Sequence, residues 1–213
     1  MKSNVIILDL DDTLIATHYR QYNCINDYLI SVGKKFIDYD AYLSLRRSGN
    51  LSNTSLLKTM YPDLDWVSYT AFYLKNIEAE KYLELDTLLV DKQYLADLVK
   101  KEIKLVLLSL RSDHTNSLKQ LQHLGLAAFF SETYFVHHNS DTNPKINKLD
   151  KLKTDNSNII AFCGDSIADY EAAQLLNINF VQVKTALYDL HDFEHATKYN
   201  NINQYFINIL STL

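Results

Sequence analysis

Apolar residues come in two textures along this chain, and the change from one to the other divides it. At the start, Val5 to Leu10 is a short, almost unbroken apolar run that ends among acids. A run of this kind suits a strand covered on both faces, as in a parallel sheet packed between helices, because neither face needs polar residues. From Ile15 onward apolar residues recur instead at three- and four-residue steps, in segments 22–32, 39–47, 51–60 and 66–82. That spacing gathers them on one side of a helix. Gly33, Gly49 and Pro62 stand between these segments as helix stops. We read residues 15–85 as an inserted all-helical module.

The remainder alternates. Asp91 caps a helix through residue 101, and residues 103–110 form a second buried strand. A helix from Asp113 carries Leu118, Leu121 and Leu124 on one face and ends at Gly125. Strands at 133–136, 158–163 and 180–183 then alternate with helices starting near Lys145 and covering 169–176. Strand–helix alternation with apolar strands predicts an α/β fold, a doubly wound parallel sheet built from residues 1–14 and 86–213. Sheets of this kind bind ligands at the carboxyl ends of their strands.

Composition narrows the class. The 213 residues are 47% apolar, enough for a sizeable core and one inserted module. The net charge of -5 argues against a nucleic-acid or anionic-membrane partner, and Arg46-Arg47 and Lys100-Lys101 are the nearest approach to cation clusters. Cys24 and Cys163 are the only cysteines and give neither a disulfide framework nor a zinc-ligand spacing. No apolar run has the length of a signal peptide or membrane span, so a cytoplasmic location is expected.

Three strand ends then deliver chemistry to one rim. The first carries Asp9 and Asp11, the second Ser109, and a later one Gly164-Asp165-Ser166 with Asp169 a turn further on. Carboxylates from separate strands can hold a hard divalent cation such as magnesium, which takes oxygen ligands and leaves room for a substrate phosphate. Asp9 can attack phosphorus to form an acyl phosphate, splitting one hard step into two. Asp11 can protonate the leaving oxygen and later activate water. Ser109 and an ammonium would steady charge on the transferring oxygens.

The segment "LDLDDTL" resembles motif I of the haloacid dehalogenase-like hydrolase superfamily, DxDx[TV]. Ser109 after "LVLL" resembles motif II, and "GDSIAD" (164–169) resembles motif IV, GDxxxD. The motifs keep the family's order, and the resemblance spans the chain. It implies a Rossmann-like core with a helical C1 cap inserted after motif I, in the phosphatase branch that includes phosphoglycolate phosphatase and β-phosphoglucomutase. It further implies Asp9 as nucleophile and magnesium ligand, Asp11 as general acid/base with its main-chain carbonyl on the metal, and Asp165 as a third ligand. Asp169 would support them, and Ser109 would bond the phosphoryl group. Lys145 is the candidate for the motif III lysine, although the usual Lys-Pro order is reversed as Pro144-Lys145; Lys148 is the alternative. Asp12, where many members carry glycine, is expected to bond backbone amides at a turn.

In the helical module His18, Arg20, Arg46 and Arg47 are candidates for reaching substrate, with a solvated surface position as the competing reading; Arg111, close after motif II, is a further candidate. The function this implies is magnesium-dependent hydrolysis of a small phosphomonoester, a phosphorylated metabolite being the partner. A phosphomutase of the β-phosphoglucomutase type and a non-catalytic relative that binds a phosphorylated ligand are the alternatives. Intact Asp9 and Asp11 weigh against the last, and Asp11 weighs against a dehalogenase.

Overall fold

The computed structural model describes residues 4–137, 142–155, 158–187 and 193–212. Along the chain, β1 (Asn4–Leu8) and the short β2 (Ile15–Ala16) precede α1 (His18–Ser31), α2 (Tyr39–Arg47), α3 (Asn53–Met60), α4 (Trp66–Asn76) and α5 (Glu80–Leu83). Next come β3 (Thr87–Leu88), α6 (Lys92–Lys100), β4 (Lys104–Leu110), α7 (His114–His123) and β5 (Phe130–Val136). The rest is α8 (Pro144–Asp155), β6 (Asn158–Gly164), α9 (Ile167–Leu175), β7 (Phe180–Val183), β8 (Thr197–Tyr199) and α10 (Ile202–Thr212).

These elements fall into two compact units. One comprises Met1–Ala16, Thr87–Ala186 and Phe193–Leu213; the other comprises Thr17–Asp86 with Leu187–Asp192. Ile15 and Ala16, which the apolar pattern gave to the helical module, pair antiparallel with Leu88 and Thr87 and so belong to the sheet unit.

In the sheet unit six strands pair in the order β5-β4-β1-β6-β7-β8, all parallel. The continuous apolar runs are explained by what each face meets. Along β1, Ile6 and Leu8 enter one core while Val5 and Ile7 enter a second. The same alternation divides Leu105 and Leu107 from Val106 and Leu108 on β4. Leu95 and Leu98 of α6, Leu121 of α7 and Phe206 of α10 fill the first core; Leu149 and Leu152 of α8 and Ala172 and Ala173 of α9 fill the second. A strand covered on both sides keeps no polar face. The chain runs outward from β1 to β4 and β5, then crosses to β6 on the other side of β1. That reversal is where doubly wound sheets open a crevice at their carboxyl edge.

Several boundaries differ from expectation. Segment 66–82 breaks into α4 and α5, where the Asn76 side chain donates to the Phe72 carbonyl, 2.7 Å, and competes with the helical ladder. Helix α9 starts at Ile167, two residues early, because Ser166 caps it. Leu118 on α7 is 46% exposed; the buried face of that helix is Ser117, Gln120 and Leu121. Beyond Val183 the apolar pattern assigned nothing, yet β8 and α10 complete the sheet and its first core.

The helical unit holds its own core of Ile25, Leu29, Tyr42, Leu56, Leu57 and Tyr69, among others. Three of its helices begin at side-chain caps: Asp38 for α2, Ser52 for α3 and Asp65 for α4. Much of the chain's abundant tyrosine packs here, as in the Tyr28–Tyr69 and Tyr22–Tyr39 edge contacts. Among the described residues no helix is long and apolar enough to cross a membrane.

Candidate active site

Leu8 lies opposite Leu107 of β4 and Cys163 of β6, and the Asp9 amide still donates to the Cys163 carbonyl at 2.9 Å. Asp9, Ser109 and Asp165 therefore leave three adjacent strands at nearly the same level. Both Asp9 and Ser109 are buried there. The chain then turns tightly: the Leu14 and Ile15 amides donate to the Leu10 carbonyl, and the Asp12 amide donates to Ile15. Asp12 takes a left-handed φ of 51°, a conformation that glycine adopts freely and aspartate tolerates better than most residues. The Thr185 hydroxyl donates to its carbonyl and secures the turn.

Lys145 owes its position to Asn143 and Pro144. Proline fits the first turn of α8, where its missing N–H is no loss. The Asn143 carboxamide oxygen accepts from the Lys145 amide at 3.1 Å, and its nitrogen donates to the Ala168 carbonyl at 2.6 Å. Asn143 thus ties the start of α8 to α9. The Lys145 ammonium donates to Asp9 Oδ1 at 2.6 Å and to Asp169 Oδ1 at 2.5 Å, and the residue is 2% exposed. The Lys148 ammonium sits elsewhere, 3.2 Å from the Tyr134 ring centroid.

Asp169 is braced from its other oxygen. Its Oδ2 accepts from the Ser166 hydroxyl at 2.6 Å, while Ser166 Oγ accepts from the Asp169 amide, a reciprocal cap at the start of α9. A Cβ on Gly164 would lie 2.5 Å from that Oδ2, so the glycine is what lets Asp169 reach in.

Oxygens of Asp9, Asp165 and Asp169 come within 4.8 Å of one another. Burial, reinforced by the charges of Asp169 and Asp11 and opposed by Lys145, pushes the Asp9 carboxyl up to about 7. Burial, then the charges of Asp12, Asp9 and Asp169, lifts Asp165 well above the usual carboxylate range. Burial pulls on the Lys145 ammonium in the opposite sense, but Asp169 and Asp9 keep its proton held more tightly than in free lysine. Here carboxylates outnumber cations. Oxygen donors with excess negative charge fit a hard divalent cation, and magnesium suits them.

Beside this cluster, Arg111 donates from Nη2 to Asp11 Oδ1 and, at 3.3 Å, to Gln120 Oε1. Its side chain is 1% exposed and its amide is held by the Val136 carbonyl at 3.1 Å. The expectation that Arg111 reaches substrate therefore meets a guanidinium turned onto Asp11.

The profile of the haloacid dehalogenase-like hydrolases matches residues 6–183. The chain belongs to this family. Among solved structures, a haloacid dehalogenase-superfamily hydrolase of subfamily IA from Geobacter sulfurreducens is 17% identical with a TM-score of 0.71, over 98% of this chain and 96% of that one. A predicted phosphatase from Clostridium acetobutylicum is 18% identical with a TM-score of 0.71, over 99% and 100%. Protein tyrosine kinase A of Mycobacterium tuberculosis is 18% identical with a TM-score of 0.69, over 98% of both chains. No curated protein matches in sequence. At such identities the likeness is one of fold, and a fold shared by proteins named phosphatase and kinase leaves the reaction to the site.

In this haloacid dehalogenase-like hydrolase three of the cationic candidates of the helical unit are buried or half-buried, whereas Arg47 is exposed as the surface reading expected. Arg20 is buried and pairs with buried Asp86 at 3.4 Å. Arg46 is buried with its guanidinium 5.9 Å from the Tyr42 ring centroid. His18 stacks on Tyr39, and burial together with Arg47 and Arg46 lowers its proton affinity. Sequence reasoning missed Asn143 and the brace from Ser166; "NPK" and "SIAD" carried those signals as a cap residue before a helix-starting proline and a capping box.

Proposed function

We propose that this family member is a magnesium-dependent phosphohydrolase acting on small phosphomonoesters through an aspartyl-phosphate on Asp9. The observation that carries the reading is the Lys145 ammonium shared between Asp9 and Asp169, with Asp165 alongside. A cation fixed against one Asp9 oxygen orients the other toward an incoming phosphorus, and the same ammonium can steady charge on the phosphoryl oxygens.

Asp9 and Asp165, with the main-chain carbonyl of Asp11, would hold magnesium, which when bound supplies charge neutralisation for the phosphate. Asp169 has both oxygens engaged by Lys145 and Ser166, which supports a bracing role. In the first half-reaction an Asp9 oxygen attacks phosphorus, the bond from phosphorus to the leaving oxygen breaks, and Asp11 protonates that oxygen. In the second, Asp11 takes a proton from water, the hydroxide attacks phosphorus, and the acyl-phosphate bond breaks to return the Asp9 carboxylate and release phosphate. Ser109 lies at the same rim as a donor to the phosphoryl group.

The test is release of p-nitrophenol from p-nitrophenyl phosphate, with magnesium and then with excess chelator, beside Asp9→Asn. Magnesium-dependent release that the variant lacks supports the proposal. Near-normal release by Asp9→Asn in a folded protein would move the nucleophile elsewhere.

A further inference from the structure

Arg111 is an expensive residue to keep where it is. Its side chain is almost wholly buried, and among the described residues Nε and Nη1 find no hydrogen-bond partner while closed off from solvent. Buried guanidinium donors without acceptors cost stability, so packing does not account for the residue. The acceptors it does have are specific. Nη2 donates to Asp11 Oδ1 and to Gln120 Oε1, and the backbone of Arg111 is fixed to Val136 on the neighbouring strand. Gln120 in turn lies on the buried face of α7, which turns Leu118 outward and polar side chains inward. Helix α7 and the end of β4 thus build a rigid arm whose tip is a cation on the Asp11 carboxylate.

We propose that Arg111 is the positioning residue for Asp11. By pinning one carboxylate oxygen it fixes the direction in which the other faces the leaving oxygen, without touching substrate. Arg111 then contributes through proton transfer to the leaving group and not through phosphate binding. This rests on the function proposed above, in which Asp11 is the general acid.

Two aryl esters of similar size separate the possibilities. p-Nitrophenolate leaves readily without a proton, whereas phenolate needs one more. kcat/KM reports the steps up to departure of the leaving group, so a defect in acid catalysis shows there. For Arg111→Met we expect kcat/KM on phenyl phosphate to fall by about tenfold or more, part of the 10²–10⁴ that a general acid supplies. The fall on p-nitrophenyl phosphate should be several-fold smaller, with the loss in kcat and little in KM. Arg111→Lys should recover part of the loss. In an Asp11→Asn background Arg111→Met should add little, because both changes remove the same contribution. Equal losses on both esters, a rise in KM alone, or full additivity with Asp11→Asn would overturn the proposal. If the wild type releases neither phenol nor p-nitrophenol, the hydrolase reading fails, and a crystal structure of Arg111→Met still decides the positioning claim. An Asp11 carboxylate displaced from its wild-type orientation supports it, and an unmoved one overturns it.

Discussion

A single ammonium is shared between two buried carboxylates at this site, and its consequences can be stated for one residue. Removing Lys145 leaves Asp9 and Asp169 facing each other without compensation, and breaking a buried pair from one side typically costs about 3–5 kcal/mol. We predict that Lys145→Met loses stability on that order in chelator, read by urea unfolding, and that turnover falls by about 10²-fold or more with the loss of its donor. Lys148 lies over the Tyr134 ring, an interaction worth about 0.5–1 kcal/mol at a partly exposed position. Lys148→Met should therefore remain stable and active. The reverse ranking of the two variants would assign the bracing role to the wrong lysine. Reversal of the usual Lys-Pro order is accommodated because Pro144 starts α8 and Asn143 secures the Lys145 amide, so proline sets the helix and lysine follows it.

At the scale of elements, the junction from β6 to α9 works as one unit. Gly164 ends the strand, Ser166 caps the helix, and Asp169 reaches back over the glycine to Lys145. Gly164→Ala puts a methyl group 2.5 Å from Asp169 Oδ2. Forcing an atom into a filled site typically costs about 1–3 kcal/mol, so the variant should unfold at lower urea and turn over more slowly as Lys145 loses its second acceptor. A variant neutral in both would mean that Asp169 can shift without consequence. In "CGDSIAD" the strand end and the acids were legible, whereas the Ser166 cap was passed over and the helix start set two residues late. Strands β1, β4 and β6 were equally legible, because burial on both faces leaves an unbroken apolar run. Where legibility failed, tertiary contacts had overruled local pattern. β8, with the residues Thr197-Lys198-Tyr199, has no apolar run and is a strand only because it pairs with β7. Leu118 looked like a core residue until Gln120 was required beside Arg111. Arg20 read as either a substrate contact or a solvated surface cation, and nothing in its local sequence announced Asp86, sixty-six positions away, as its buried partner.

For the molecule as a whole, the crowded acids link protonation, metal and stability. Asp9 is raised to about 7 from an ordinary 3.8, and Asp165 is raised well above the same value. A carboxyl whose proton is held more tightly in the folded state contributes stability that is complete below the unfolded value and lost as pH rises through the folded one. For Asp9 that window runs from the ordinary carboxylate value up to about 7, so this contribution to the metal-free protein declines across it. Magnesium at the proposed site would bind the ionised acids, so below that range it would have to displace protons and its apparent affinity would fall. Stabilisation by a ligand grows with its occupancy of the folded state. We predict that the rise in melting temperature on adding magnesium is larger at about pH 8 than at about pH 5.5, and that binding releases protons over this interval. Melting curves at matched ionic strength, with and without chelator, measure the first; calorimetry in buffers of different ionisation enthalpy measures the second. Asp165→Asn, which removes one of the proposed ligands, should flatten the dependence on magnesium at both pH values. A magnesium shift that is the same at both, or that survives Asp165→Asn unchanged, would place the cation away from these carboxylates.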